Sequence, residues 1–443
     1  MTAIDTIFAL SSGTGRSAVA VIRMSGPASA AVLSSLSGAL PNPRDLALRS
    51  VRDPSSGELL DKALVAWLPA PRSFTGEDCA ELHLHGSAAI VSAVMAALSS
   101  HPGVRPAEHG EFTRRAFLNG KMDLVEVEGL ADLLEARTSN QRRQAFRQMS
   151  GLASHVFDAW RNQLLLIRAD IEAVVDFVDE PGVADEAAHG IDSRIHALLG
   201  ELTEAVDRSS TAEVVRDGVR VVLAGLPNTG KSSLLNALAR REAAIVSDIP
   251  GTTRDTIEVS LDVRGIPVFL TDTAGLRADA ADKVEQEGIR RSRQHISDAD
   301  VVVWVWSSDV TGSEDPGTVR SHITVRNKCD LQSGLIRNER PEDELRISTR
   351  TGGGIREFLE HLEALLQHRY GDVESALLVS ARQTTVARNS IRLLNDALLR
   401  SSDQLELKAE DIRCASEEIG RLTGKIDVEE WLGAIFSRFC IGK

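Results

Sequence analysis

The chain is poor in aromatic residues, which make up 4% of it and include a single tyrosine. So little ring surface excludes a protein that grips single-stranded nucleic acid mainly by stacking bases. Cysteine is scarce as well. Cys79, Cys329, Cys414 and Cys440 are scattered with no C-x-x-C pair, which speaks against a zinc ribbon or a disulfide framework and fits a reducing, cytoplasmic setting. No stretch approaches the roughly 18 consecutive apolar residues of a membrane helix. The opening MTAIDTIFALSSGTGR carries an acid, Asp5, and no basic region before its short apolar run, so it does not read as a signal peptide. Positive charge is in deficit: 50 Lys and Arg against 64 Asp and Glu leave a net charge of −14. That argues against broad attraction to phosphate backbones and leaves room only for a local basic patch.

What remains is an ordinary globular composition, 42% hydrophobic over 443 residues, enough for about three domains. Residues 1–120 mix short apolar runs, AVAVIRMSG (Ala18 to Gly26) and KALVAWLPAP (Lys62 to Pro71), with Gly and Pro punctuation, as in a small α/β domain. From about Asp123 the period lengthens. Leu152, Val156, Trp160, Leu164, Ile167, Ile171, Val174 and Val178 recur at three- and four-residue steps, predicting a long helix. DEPGVADEAAHGID (Asp179 to Asp192) reads as an irregular connection. Within 215–373, strand-like VRVVLAG, IPVFLTDTAG, DADVVVWVW and ITVRNKCD alternate with helical stretches, which predicts a parallel sheet with helices on both faces. Residues 374–443 return to helix. The fold class is thus α/β and α multidomain: an N-terminal α/β domain over 1–120, and a helical domain (121–214 and 374–443) into which an α/β domain is inserted.

GLPNTGKSSLLNAL (Gly225 to Leu238) fits G-x-x-x-x-G-K-[ST] between a strand and a helix. Glycines there let the backbone N–H groups around Asn228, Thr229, Gly230, Lys231, Ser232 and Ser233 face phosphate oxygens. Lys231 brings charge to the β/γ-phosphates, Ser232 offers a hydroxyl to Mg²⁺, and the helix that follows adds its dipole. A Gly-rich strand–helix turn alone would share this pattern, but two more motifs follow at strand ends. DTAG (Asp272, Thr273, Ala274, Gly275) places a carboxylate near Mg²⁺ and an N–H near the γ-phosphate. NKCD (Asn327 to Asp330, with Lys328 between) places Asp330 to accept from guanine N1–H and the 2-amino group, donors that adenine lacks. The set resembles the Ras-like P-loop GTPase superfamily. In that comparison Ser348, Thr349 and Arg350 fill the last guanine-contacting loop, with Thr349 where Ala is usual. SDIPGTTRD (Ser247, Asp248, Ile249, Pro250, Gly251, Thr252, Thr253, Arg254, Asp255) looks like the switch that closes over the γ-phosphate, with Thr253 on Mg²⁺. The position after DTAG, where Ras-like proteins carry a water-orienting Gln, is Leu276. Help with hydrolysis must come from elsewhere.

FTGEDCAELHLHG (Phe74 to Gly86), GEFTRRAFLNGKMDL (Gly110 to Leu124), AAIVSDIPGTTRD, DTAGLR and the terminal FCIGK resemble, over nearly the whole chain, the tRNA-modifying GTPases called MnmE or TrmE. That resemblance implies a potassium ion in place of an arginine finger, with Asn228 and the backbone near Ser247, Ile249 and Thr252 as its ligands. It implies that Glu285 orients the attacking water through a second water; read alone, Glu285 is a solvated helix charge. It implies a homodimer whose N-terminal domains bind a reduced folate, 5-formyl- or methylene-tetrahydrofolate, through Arg23, Glu81, Lys121 and Lys443. It also implies a FAD-dependent partner of the MnmG/GidA type and, as substrate, the wobble uridine of certain tRNAs, modified at carbon five. His83 and His85 have no third ligand nearby, differ from the commoner family residues and are assigned no role. RRQAFRQ (Arg142 to Gln148) and RRSR (Arg290 to Arg293) are either contacts for tRNA or partner, or solvated helix faces. The competing readings are a regulatory GTPase of ribosome assembly or signalling, and a nucleotide-stabilised scaffold.

A cysteine fourth from the end invites a prenylation reading, but Gly442 is not aliphatic and no polybasic run precedes it. Val428, Trp431, Leu432, Ile435, Phe436 and Phe439 instead form an apolar stripe, with Asp427 and Glu430 as N-cap and reciprocal partner. Such a helix is expected to dock and to deliver Cys440 and Lys443 to the folate site, Cys440 as a participant in the chemistry.

Overall fold

The computed structural model describes residues 5–13, 15–176, 183–241, 244–245, 258–272, 296–310, 322–331, 344–370, 376–401, 404–426, 429–439 and 441–442. They fall into two units. One comprises 1–131, 147–166 and 413–443, the other 132–146 and 167–412.

The first unit opens with β1 (Thr6–Leu10), β2 (Ser17–Ser25), α1 (Ser29–Ser37), β3 (Leu46–Arg52), β4 (Leu59–Leu68), β5 (Cys79–Gly86), α2 (Ala88–Ser99), β6 (Val104–Pro106) and α3 (Glu111–Leu118). The strands form a six-stranded sheet in the order β3-β4-β5-β2-β1-β6, antiparallel except where β6 joins β1. Alternation along the strands sends Phe8, Ile22, Met24, Leu82 and Leu84 to one face, where Leu33 and Leu36 of α1 and Leu98 of α2 cover them. Each fully buried side chain of this size stabilises by about 1.5–3 kcal/mol. On the opposite face α3 covers only the β1 end, where Phe112 packs on Ile7 and Ala9. The remainder stays open: Val19, Leu46, Leu48 and Leu64 are exposed there.

One buried cation organises the α3 end. The Arg115 guanidinium, 10% exposed, reaches Asp5 (3.0 Å), Glu77 (3.2 Å) and Glu111 (3.0 Å), and Arg105 binds Glu111 from the other side at 2.6 Å. Burial pushes the Glu111 carboxyl up, but hydrogen bonds from Arg105, the Glu108 N–H and Arg115 outweigh it and hold Glu111 below its ordinary 4.5.

The chain then forms α4 (Leu124–Glu135), α5 (Ser139–Met149), α6 (Leu152–Asp176), α7 (Val183–Asp207) and α8 (Ser209–Asp217). α6 confirms the predicted long helix. The expected irregular connection is wrong from Val183 onward, because α7 begins there. V-A-D-E-A-A is a run of mostly good helix formers, and an isolated Gly190 is tolerated inside a helix.

The second unit holds β7 (Val219–Ala224), α9 (Lys231–Ala239), β8 (Ala244–Ile245), β9 (Glu258–Val263), β10 (Ile266–Asp272), β11 (Val301–Ser307), β12 (His322–Asn327), β13 (Leu345–Arg346) and α10 (Ile355–Tyr370). Its sheet runs β13-β12-β11-β7-β10-β9-β8. The expected all-parallel sheet is corrected. β13, β12, β11, β7 and β10 are parallel, but β9 pairs antiparallel with β10 and β8 with β9. Arg264 and Gly265, both at positive φ, make a two-residue turn that only an antiparallel pair can use. Parallel β7, β10, β11 and β12 all end on one side, and there the loops gather. Helices α11 (Ala381–Leu399), α12 (Leu405–Thr423) and α13 (Glu429–Ser437) complete the chain.

In the first unit the C-terminus is anchored. Ile435, Phe436 and Phe439 pack on Leu124, Val127 and Leu130. Trp431 departs from the expected stripe and is 42% exposed. Val428 and Asp427, like Cys440 and Lys443, lie outside the described residues, as does the Glu430 side chain. Beyond Phe439, Ile441 bridges to His109, and the Gly442 carbonyl accepts from Ser11 Oγ at 3.0 Å. The tail is therefore tied down by its own backbone bonds. Among the described residues no helix is long and apolar enough to cross a membrane.

Removing the shared cation leaves Glu77 without a guanidinium partner and Asp5 and Glu111 with Arg105 alone. Arg115→Ala is expected to cost about 3–5 kcal/mol in urea unfolding of the first unit. Because Glu111 is depressed when folded, its contribution is present above 4.5 and lost as pH falls through the folded value. Glu111→Gln should flatten that acid limb, and an unchanged limb would assign the pH dependence to other groups.

Candidate functional site

In the second unit, β7 turns at Gly225 into the phosphate loop, and α9 starts at Lys231. Gly230 sits at φ +94°, and a Cβ there would lie 2.2 Å from Asn327 Nδ2, so neither the conformation nor the space admits a side chain. Asn228, also left-handed at φ 63°, is exposed at the loop tip. Thr229 is buried and donates its hydroxyl to Leu226 O at 2.9 Å. Lys231 folds back over the loop, its ammonium donating to the Gly225 and Leu226 carbonyls, each at 2.9 Å. Its charge is thereby held at the loop that the phosphates are predicted to occupy.

Ser232 Oγ donates to Asp272 Oδ2 at 2.5 Å. A hydroxyl and a carboxylate converging from the end of β10 and the start of α9 are hard oxygen donors and suit Mg²⁺. Ser233 is exposed on the same first turn of α9.

The other side of the site, where guanine is expected, is assembled around one buried carboxamide. Asn327, 1% exposed, donates to Thr229 O at 2.9 Å and accepts from the Thr349 N–H at 3.2 Å. Lys328 pairs with Asp309 at 2.7 Å. Asp330 Oδ1 accepts from Ser348 Oγ at 2.7 Å, and Arg350 lies 3.9 Å from its Oδ2. The Ser348 hydrogen bond holds Asp330 below the ordinary carboxylate range, so it stays an acceptor. Asn228, Thr229, Gly230, Lys231, Ser232, Ser233, Asp272, Asn327, Lys328, Asp330, Ser348, Thr349 and Arg350 thus gather at the ends of β7, β10 and β12 and in the loop after β13. Ser247, Asp248, Ile249, Pro250, Gly251, Thr252, Thr253, Thr273, Ala274, Gly275 and Glu285 lie outside the described residues.

A second cluster occupies the open sheet face of the first unit. Cross-strand partners Arg23 and Glu81 form an ion pair at 3.0 Å, and Arg23 also lies 5.5 Å from the centre of the Phe74 ring. His83 was assigned no role from sequence, yet its Nε2 meets Glu81 Oε2 at 3.1 Å, two positions along the same strand face. His85 meets Asp61 at 2.8 Å. Exposed Lys121 packs its stem beside Gly76, in the loop that carries Phe74. That loop is fastened by Ser25, whose hydroxyl contacts Thr75 (2.7 Å) and Glu77 (2.6 Å), and by the Arg115–Glu77 pair. These fastening residues were missed from sequence because each is an unremarkable polar position until the loop folds onto β2. Among the described residues no group of three or more His, Cys, Asp or Glu could hold a metal.

Residues 124–440 match the family model "MnmE helical domain", and residues 6–121 match "GTP-binding protein TrmE N-terminus". A tRNA modification GTPase MnmE from Methylobacterium sp. (strain 4-46) is 48% identical over 446 residues, covering 99% of this chain and 100% of that one. Its counterpart from Bradyrhizobium sp. (strain ORS 278) is 47% identical over 447 residues, covering 99% of each. A phosphate loop that meets Asp272 and Asn327, carried between helical segments and behind a matching N-terminal domain, agrees with near full-length matches of this order: the chain belongs to the MnmE family.

Proposed function

We propose that the chain is a potassium-stimulated GTP hydrolase acting in tRNA modification. The observation that carries this reading is the meeting of the phosphate loop, the Mg²⁺-side carboxylate and the guanine loop through Ser232–Asp272, Asn327–Thr229 and Asp330–Ser348. Asp330 accepts two hydrogen bonds from guanine and leaves adenine's edge unmatched. Lys231 and the loop N–H groups bind the β- and γ-phosphates, and their alignment with the dipole of α9 favours charge that develops there. Mg²⁺, held by Ser232 and Thr253 with Asp272 beside them, supplies further charge neutralisation when bound. Asn228 with the backbone of Ser247, Ile249 and Thr252 binds potassium, and Glu285 positions the water that Leu276 cannot. The exposed left-handed Asn228 supports the first of these assignments.

In the same reading the Arg23–Glu81 pair, with Lys121 and Lys443, binds a reduced folate. A carboxylate oriented by Arg23 and His83 retains lone pairs for the amino and ring N–H groups of a pterin. Exposed Leu46, Leu48, Leu64 and Val19 around that pair support a homodimer that buries this face. Anchoring of Ile441 and Gly442 beside His109 and Ser11 supports delivery of Cys440 and Lys443 to the N-terminal domain. A FAD-dependent partner of the MnmG/GidA type supplies the redox step, and carbon five of the wobble uridine receives the aminomethyl or carboxymethylaminomethyl group.

Asp330→Asn should lower GTP affinity at least about tenfold and raise xanthosine triphosphate affinity; retained guanine selectivity in a displacement titration would refute its role. GTP turnover should rise about tenfold or more when potassium replaces sodium, and equal rates would remove the potassium site. Nucleoside mass spectrometry of tRNA from cells lacking the protein should show the wobble uridine unmodified. Cells carrying Cys440→Ser should show lowered wobble-uridine modification while the purified variant still hydrolyses GTP. A normal wobble uridine in the deletion strain would overturn the tRNA assignment.

A further inference from the structure

The segment just before α5 makes contacts that the nucleotide site does not explain. Thr138, Ser139, Asn140 and Gln141 form a T-x-x-Q capping box: Gln141 N–H donates to Thr138 Oγ1 at 3.2 Å, and Gln141 Oε1 accepts from the Thr138 N–H at 3.2 Å. An ordinary box spends its remaining donors on water. Here both go to backbone carbonyls of the GTPase sheet's connections. The Thr138 hydroxyl, on a residue 5% exposed, donates to Gly265 O at 2.8 Å, and Gln141 Nε2 donates to Arg216 O at 2.9 Å. Asn140 Nδ2 adds a bond to Arg264 O at 3.2 Å, and Arg137 Nη1 reaches Ser260 Oγ at 3.2 Å.

Those carbonyls are specific places in the fold. Arg264 and Gly265 are the turn of the β9–β10 hairpin, whose other end is Asp272. Arg216 lies at the end of α8, immediately before β7, whose other end is the phosphate loop. One helix cap therefore holds the starts of two adjacent parallel strands, and those strands deliver Ser232 and Asp272 to the same point. β10 spans seven residues, or roughly 20 Å at about 3.3 Å each. Such a short paired ribbon carries a slip at its turn through to Asp272, which Ser232 contacts. The turn itself overhangs the sheet, because β7 begins opposite Val268 and leaves Ile266 and Pro267 unpaired on that side.

We infer that Thr138 and Asn140, which lie in the helical part of the sequence and touch no nucleotide loop, are positioning residues for GTP hydrolysis, setting the relative register of the β7 and β10 ends. The inference rests on the assignment of Ser232 and Asp272 to the Mg²⁺ side of the site. In purified full-length protein, Thr138→Val and Asn140→Ala should each lower kcat for GTP about fivefold, the loss of one hydrogen bond, with KM within about twofold of wild type. Thr138→Ser, which keeps the donor, should restore kcat. Asn140→Ala leaves both capping-box bonds intact, so its effect separates positioning from loss of α5. Unchanged kcat in Asn140→Ala and Thr138→Val, a raised KM at normal kcat, or a Ser variant no better than Val would each overturn the inference. If Ser232→Ala and wild type turn over GTP equally, the Mg²⁺-side assignment itself fails, and the inference with it.

Discussion

The nucleotide site depends on the burial of one carboxamide. Asn327 is almost wholly enclosed, and its two ends bind backbone groups from two other loops. A buried Asn must satisfy both its N–H₂ and its oxygen or incur a desolvation cost. Thr229 O and Thr349 N–H can meet that demand only when the phosphate loop and the Ser348 loop are in place. Gly230 is required by the same contact, since any side chain there would collide with the carboxamide. The phosphate loop and the Ser348 loop thus form as one object, and Lys231 and Asp330 take their positions from it.

Charge is handled differently in the two units. The GTPase sheet sets Lys231 on neutral carbonyls, with its ammonium donating to Gly225 O and Leu226 O. The N-terminal sheet does the opposite with Arg115, which is buried against three carboxylates. That cluster is structural: it fixes the loop from Phe74 to Asp78 and so sets where Phe74 meets Arg23. Neighbouring Arg23 and Glu81 stay on the open face, half-buried and paired, which suits a ligand that both donates and accepts hydrogen bonds.

Much of this was legible in the sequence. The P-loop, DTAG and NKCD are local patterns whose chemistry follows from adjacent residues, and each was found at a strand end where the apolar runs stop. The three- and four-residue spacing from Leu152 predicted α6 correctly. Other features were not legible. EVSLDV is short and half polar, so its pattern does not announce β9 or the antiparallel hairpin that breaks the parallel order. The start of α7 reads as a connection because the acidic run is broken by Pro181 and Gly182, just before a helix-forming stretch. The Thr138–Gln141 signature of a helix start was present, but nothing local says that its spare donors would find Gly265 and Arg216.

The sequence by itself determined the chemistry available to this protein. Side-chain types at fixed short spacings decide that a loop can cradle phosphate, that a carboxylate can select guanine and that the last helix has an apolar side. Tertiary structure alone decided which distant groups share a hydrogen bond: Asn327 with Thr229, His83 with Glu81 beside Arg23, Thr138 with Gly265, Gly442 with Ser11. The reason is physical. Local patterns reflect backbone periodicity and stereochemistry, which act over a few residues. The partners of buried polar groups are chosen by the packing of whole elements, which brings residues over a hundred positions apart within 3 Å, as with Thr138 and Gly265.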